Sequence, residues 1–307
     1  MSAGIDVTAE APLFDPTAPL TASGNLRRRT AVSRLIAVLA TASALFAVAL
    51  LVEVAYTVIH KGASVVSFSF LTQNTSGLGN GGIANALLGT IVIVAFAAVV
   101  ALPVGVLTGL YLTEFAGPRS RSANALKLVL DLLQGLPTII VGIVIYGLIV
   151  ASEHLETGFA ASIALAIIML PMIARSSQEV LLLVPGSLRE AADALGVERW
   201  RTVLGVILPA AAGGIATGAI LSIARASGET APLLLVNSLY SPTHTQLNIF
   251  GHGVPSIPMF IYTNYDLPAP SAITRAWGAA LVLLTCILVA NVGARLLLAR
   301  SRAKMGA

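Results

Sequence analysis

Six stretches of almost uninterrupted apolar sequence, at about 35–59, 85–113, 124–151, 158–183, 203–236 and 272–298, constrain this chain more than anything else in it. Each is long enough for a membrane span of about 20 residues. In lipid a segment must satisfy its own backbone hydrogen bonds, which makes helices the form for runs of this length. The expected fold is therefore all-α and integral to the membrane, with six transmembrane helices. Composition agrees: 56% of residues are apolar and 10% charged, where a soluble domain carries about a quarter charged residues. The single cysteine, Cys286, lies inside the last run and reads as a small core residue; one cysteine excludes an internal disulfide and a cysteine metal cluster.

The basic residues set the orientation. Arg27, Arg28, Arg29 and Arg34 precede the first run, and Arg119, Arg121 and Lys127 lie beside the second loop. Arg189, Arg199 and Arg201 lie in the fourth loop, and Arg295, Arg300, Arg302 and Lys304 close the chain. The alternate loops hold only Lys61, so both termini are expected in the cytoplasm of a multi-pass plasma-membrane protein. The net charge of +4 then reflects orientation in lipid, and no nucleic-acid partner is needed to explain it. Residues 1–30 read as a disordered cytoplasmic tail, residues 31–300 as the membrane domain and 301–307 as a cytoplasmic C-terminal tail. The first apolar run is too long and too far from Met1 for a secretory signal.

Two kinds of sequence meet at 188–236. Residues 189–201 mix both signs of charge with Ala191, Ala192, Leu195 and Trp200, the pattern of a helix outside the lipid with one adhesive face. The run that follows is apolar except for Arg225 and Glu229, whose spacing on a continuous helix puts both on one face. Counted from Pro209, Arg225 lies about 24 Å along such a helix, so it is expected in the bundle, paired to Glu229. A second pair with the same spacing, Arg175 and Glu179, follows Pro171; Arg175 either snorkels to the inner surface or meets a substrate. An ionisable residue in a span costs at least about 2.5–3.5 kcal/mol at the membrane centre, which marks these positions as candidates for function. The alternative for Arg225 and Glu229 is an ion pair that only locks the helix.

Glu190, Ala191 and Ala192, then Gly196, then Val206, Leu208 and Pro209 resemble the cytoplasmic loop of bacterial ABC importer permeases, with Val206 where Ile is usual. The later stretch ARASGETAPLLL resembles the phosphate-specific permeases of the PstA type. Gly81, Gly82, Ile83, Asn85, Gly89 and Thr90 resemble the start of the second helix in that family, and Asp131, Gln134, Gly135, Pro137, Thr138 and Gly142 resemble its third. The resemblance covers about residues 60–265 and implies a fold like the type I ABC importer permeases. It implies that 188–202 is a coupling helix docking on an ATPase through Glu190, Ala191, Ala192, Gly196, Leu208 and Pro209. It further implies a homologous PstC-type permease, two ATPase copies and an extracytoplasmic phosphate-binding protein. Arg225, Glu229, Thr230, Arg175 and Glu179 are then the candidate substrate pathway, because the guanidinium fork matches phosphate oxygens. The chain has no Gly-Lys dipeptide and hence no phosphate-cradling ATPase loop; ATP and Mg would be used by the partner, with no cofactor bound here. The alternatives are a permease for another oxyanion, such as sulfate or molybdate, and a non-transporting regulatory membrane protein.

Smaller features complete the reading. Pro103 and Gly105 mark a packing kink or a gating hinge. Glu114 stands at the cytoplasmic edge of the second run, and Asp131 either lines a pore or sits near the interface. Glu153, His154 and Glu156 read as a solvated loop, as do His244 and His252. GHGVPSIPMFIYTNY, at 251–265, is too apolar for a free loop and too short to span, so a re-entrant or interfacial segment is expected. Arg275 and Trp277 are placed to anchor the last helix at the interface.

Overall fold

A computed structural model describes residues 26–76, 81–117, 120–237 and 248–305. The readings of 1–25 as a disordered tail and of His244 as a loop residue lie outside the described residues. In chain order the main helices are α1 (Leu26–Gly62), α2 (Ala84–Leu110), α3 (Arg121–Gly135), α4 (Thr138–Ile145), α5 (Gly158–Leu182), α6 (Gly186–Ala194), α7 (Leu208–Ala226), α8 (Ile257–Asp266) and α9 (Pro270–Met305). Helix thus already includes residues 26–30 and runs through most of 301–307. Among the described residues, five helices are long and apolar enough to cross a membrane by themselves. The sixth expected span is broken: the helices at 121–135 and 138–153 meet at 102°. Leu136 and Pro137 are extended at the break, as the ring of a proline imposes on the residue before it.

The chain divides into two compact units, 1–56 and 57–307. In the first, residues 28–54 of α1 are exposed on every face. In the second, α5 is the central helix. Ala97, Ala101, Gly105 and Gly109 recur every fourth residue along α2 and are all buried. A Cβ on Gly105 would lie 2.8 Å from Ile173, and one on Gly109 2.9 Å from Ser177, so the α2–α5 seam closes to backbone distance. Lipid is as apolar as leucine and drives no such association, so close packing of small residues does. The α5–α7 seam repeats the device, with Gly214 against Val180 and Gly218 against Ser176.

The 251–265 segment is folded into the bundle. Val254, Ile257, Met259 and Phe260 are buried, and α8 packs on α9 and α2. Gly89 makes room for it, since a Cβ there would stand 1.9 Å from the Pro255 carbonyl oxygen. The backbone N–H of Ile257 donates to Thr90 Oγ1 at 2.8 Å. Asn237, 1% exposed, donates to the Val254 carbonyl at 2.7 Å and accepts from the Val254 N–H at 2.8 Å. Around the start of α9, Arg275 donates to the Gly81 carbonyl and Lys61 Nζ lies 4.8 Å from the Trp277 ring centroid. Both anchoring residues therefore hold protein groups.

Candidate functional site

α7 ends at Ala226, and Ser227 and Gly228 form a turn before the short helix Leu233–Val236. This corrects the expected continuous helix over 203–236. With the helix broken one residue past Arg225, the four-residue spacing no longer stacks Arg225 on Glu229. Glu229 is half-buried beyond the break, and the two form no ion pair. Arg225 is exposed, not buried. Among the described residues its guanidinium has no hydrogen-bond or ion-pair partner.

Arg225 opens into a cleft of about 470 Å³ together with Gln134, Thr138, Arg175, Ser176 and Glu179. Four helices meet there, α3, α4, α5 and α7. The bend at Pro137 brings Gln134 at the end of α3 and Thr138 at the start of α4 onto one wall. Gly142 lets α4 approach the 227–236 turn, where a Cβ would stand 2.8 Å from Pro232 Cα. Glu229 and Thr230 are absent from the lining, so of the candidate pathway residues the fold gathers Arg175, Glu179 and Arg225.

The two guanidiniums in the cleft differ. Arg175 is fastened: it donates to the Asp131 carboxylate, to Gln178 Oε1 at 3.1 Å and to the Lys127 carbonyl at 3.4 Å. The pairing of Arg175 with Asp131, not Glu179, was hidden from the sequence by the 44 residues between them. Glu179 is exposed and has no hydrogen-bond or ion-pair partner among the described residues. Two cations thus face one carboxylate along the cleft, and the cation held by no acceptor among the described residues is Arg225.

The docking candidates lie at the far end of the same helices. α6 closes in a Schellman turn: Gly196 donates to the Asp193 carbonyl at 3.0 Å and Val197 to that of Ala192 at 3.1 Å. Gly196 has φ +68, and nothing lies within 4 Å of a Cβ there. The glycine is therefore required by the left-handed backbone and not by space. Gly196→Ala is expected to cost about 1 kcal/mol, and Gly196→Asn less; thermal unfolding of the purified protein ranks the three. Glu190, Ala191, Gly196 and Pro209 are exposed, beside the exposed apolar side chains of Leu182, Leu183, Leu195 and Trp200. Ala192 is buried and Leu208 packs on Leu110, Leu181, Val203 and Ile207, so these two support the surface from behind.

Sequence reasoning passed over Glu114. It sits in a π-helical turn, Tyr111–Phe115, that ends α2, and its side chain is fully buried. Arg189 donates to it from Nε at 3.2 Å to each oxygen and from Nη2 at 2.7 Å. Arg199 adds a contact from Nη2 at 3.4 Å and donates from Nε to the Glu114 carbonyl at 3.2 Å. The hydrogen bond to Glu114 raises the pKa of Arg189 further, against the opposing effect of burial. The one available signal was an acid at the end of an apolar run. Glu156 also departs from the solvated reading: it is half-buried, and its Oε2 has no partner among the described residues.

Residues 101–303 match the family described as binding-protein-dependent transport system inner membrane component. The chain is 34% identical to the phosphate transport system permease protein PstA of Yersinia pestis, over 88% of this chain and 91% of that one. It is 35% identical to the PstA protein of Xylella fastidiosa strain Temecula1, over 92% and 98%. It is 41% identical to that of Mycobacterium leprae, over 69% and 68%. Among solved structures it resembles a chain of a bacterial alginate ABC transporter in complex with its pentasaccharide-bound periplasmic protein, with TM-score 0.60, 16% identity and coverage of 88% and 97%. It also resembles a chain of the MetNI methionine ABC transporter in an inward-facing form, with TM-score 0.55, 21% identity and coverage of 72% and 94%.

Proposed function

From a chain that belongs to the binding-protein-dependent transport system inner membrane component family, and whose near full-length relatives are PstA phosphate permeases, we infer the PstA-type permease subunit of an ATP-driven importer of inorganic phosphate. The observation that carries the mechanism is Arg225, a guanidinium with no partner among the described residues, in a cleft that also holds a fastened Arg175 and an open Glu179. A dianion entering the cleft meets a free fork of donors. Glu179 lowers the net attraction, and a pathway needs binding weak enough for release.

Both termini are assigned to the cytoplasm by the distribution of arginines, which puts 186–202 on the inner surface. There the exposed face of Glu190, Ala191 and Gly196, with the apolar side chains around it, suits a separate ATPase dimer that supplies the ATP and Mg chemistry. A homologous PstC-type permease would complete the translocation path, and a phosphate-binding protein would deliver from outside. The short helix Arg199–Thr202 runs through Val203–Ile207 directly into α7, so displacement of the docked segment moves Arg225. Alternating access follows from that connection.

Labelled phosphate uptake by cells that depend on this complex tests the assignment. Uptake is expected to be lost on deletion of the subunit and unaffected by a tenfold excess of sulfate, a discrimination on the order of a few kcal/mol. Equal competition by sulfate or molybdate would transfer the reading to another oxyanion, and undiminished uptake after deletion would favour the regulatory one.

A further inference from the structure

Four acceptors converge on Arg189, and they belong to two different helices. Its Nη1 donates to the Val184 carbonyl at 2.8 Å and its Nη2 to that of Leu181 at 2.9 Å, the open C-terminal end of α5. Its Nε and Nη2 hold both oxygens of Glu114 at the end of α2. Arg199, from the other side of the Gly196 turn, binds the same residue by its carboxylate and its backbone carbonyl. The surface segment is thus fastened at both ends to one carboxylate that water does not reach.

We propose that Glu114 is a positioning residue for transport, tying the 186–202 segment to α2 and α5 so that both walls of the cleft respond to a single displacement. The proposal rests on the permease reading above. One wall, carrying Arg225, is joined to the segment through the chain itself at Val203–Ile207. The other, carrying Arg175 and Glu179 on α5, reaches the segment through the Glu114–Arg189–Arg199 cluster as well as the 183–185 turn. α2 has no direct covalent link to the segment; apart from the apolar cluster that Leu110 shares with Val184 and Val203, it is held to it by these ion pairs. The seam at Gly105 and Gly109, where α2 and α5 touch at backbone distance, then moves as one body. A buried carboxylate does this better than an apolar contact: a charge without water cannot slide off its partners without exposing an unpaired ion. The π-helical turn at Tyr111–Phe115 gives Glu114 an orientation that a regular helix end would not.

The test uses the whole complex, permeases with ATPase and binding protein, in proteoliposomes. In Glu114→Gln, phosphate taken up per ATP hydrolysed is expected to fall about tenfold, within the usual range of a coupling contribution, while ATPase subunits still co-purify. A merely structural role would reduce the amount of assembled complex and leave that ratio unchanged. Spin labels at Phe115→Cys and Ser187→Cys, both exposed positions, in a Cys286→Ser background give a second readout that does not involve phosphate. The parent is expected to show one narrow distance that nucleotide leaves unchanged, and Glu114→Gln a broad one. Should Glu114→Gln fail to assemble, Arg199→Gln retains the Arg189 pair and is expected to lower the ratio about two- to fivefold. An unchanged ratio with an unchanged distance distribution, in either variant, overturns the proposal. A parent complex that carries no phosphate but keeps the narrow distance would refute the substrate and leave the linkage standing.

Discussion

Arg225→Gln is expected to reduce phosphate uptake by at least about 100-fold while the subunit inserts, assembles and melts as the parent does. The size follows from charge-assisted hydrogen bonds worth about 1.5–3 kcal/mol each, of which a guanidinium fork makes two to a phosphate. The harmlessness to folding follows from the absence of any partner among the described residues: removing the charge orphans nothing. A substitution of that kind usually stays within about 0.5 kcal/mol of the parent. Arg175→Gln is the instructive contrast, because it removes a partner from the exposed Asp131 and from Gln178, so its loss of uptake should come with a loss of stability of up to about 1 kcal/mol. Uptake and thermal unfolding measured on both variants separate the two cases. Normal transport by Arg225→Gln would remove this residue from the pathway.

Asn237→Leu is expected to destabilise the permease by about 2–6 kcal/mol, at about 1–3 kcal/mol for each buried group left without a partner. The amide closes a two-bond ring with the N–H and C=O of Val254, and leucine can offer neither donor nor acceptor. The change reaches further than one residue, since Val254 is also the surface on which Gly158 rests. The backbone of 249–252 is bonded to Gly158 and Phe159 as well. Asn237→Asp keeps the acceptor and loses the donor, so an intermediate loss is expected. Thermal unfolding in detergent, read beside the protease sensitivity of 249–256, gives the measurement. An Asn237→Leu protein that melts with the parent would mean that the segment is held by its apolar contacts alone.

Much of this architecture was legible in the sequence because it is decided within a few turns of chain. Long apolar runs become spanning helices wherever the backbone must bond to itself. Gly196 terminates α6 because the Schellman turn needs a left-handed residue at that place. The proline at 137 was visible, and so was the excess apolarity of 251–265. The error at Arg225 was also local: Gly228 and Pro232 were in plain view, yet the helix was carried through them. A spacing of four residues has meaning only while the helix lasts.

Partners were a different matter. Asp131 and Arg175 are 44 residues apart, Glu114 and Arg189 75, and no periodicity connects either pair. The sequence by itself determined where the apolar runs lie, that they are helical and which residues carry charge. Tertiary structure decided which charges are spent on one another and which stay open, because burial and ion pairing depend on how closely distant helices approach. That approach is set here by glycine and alanine seams between α2, α5 and α7.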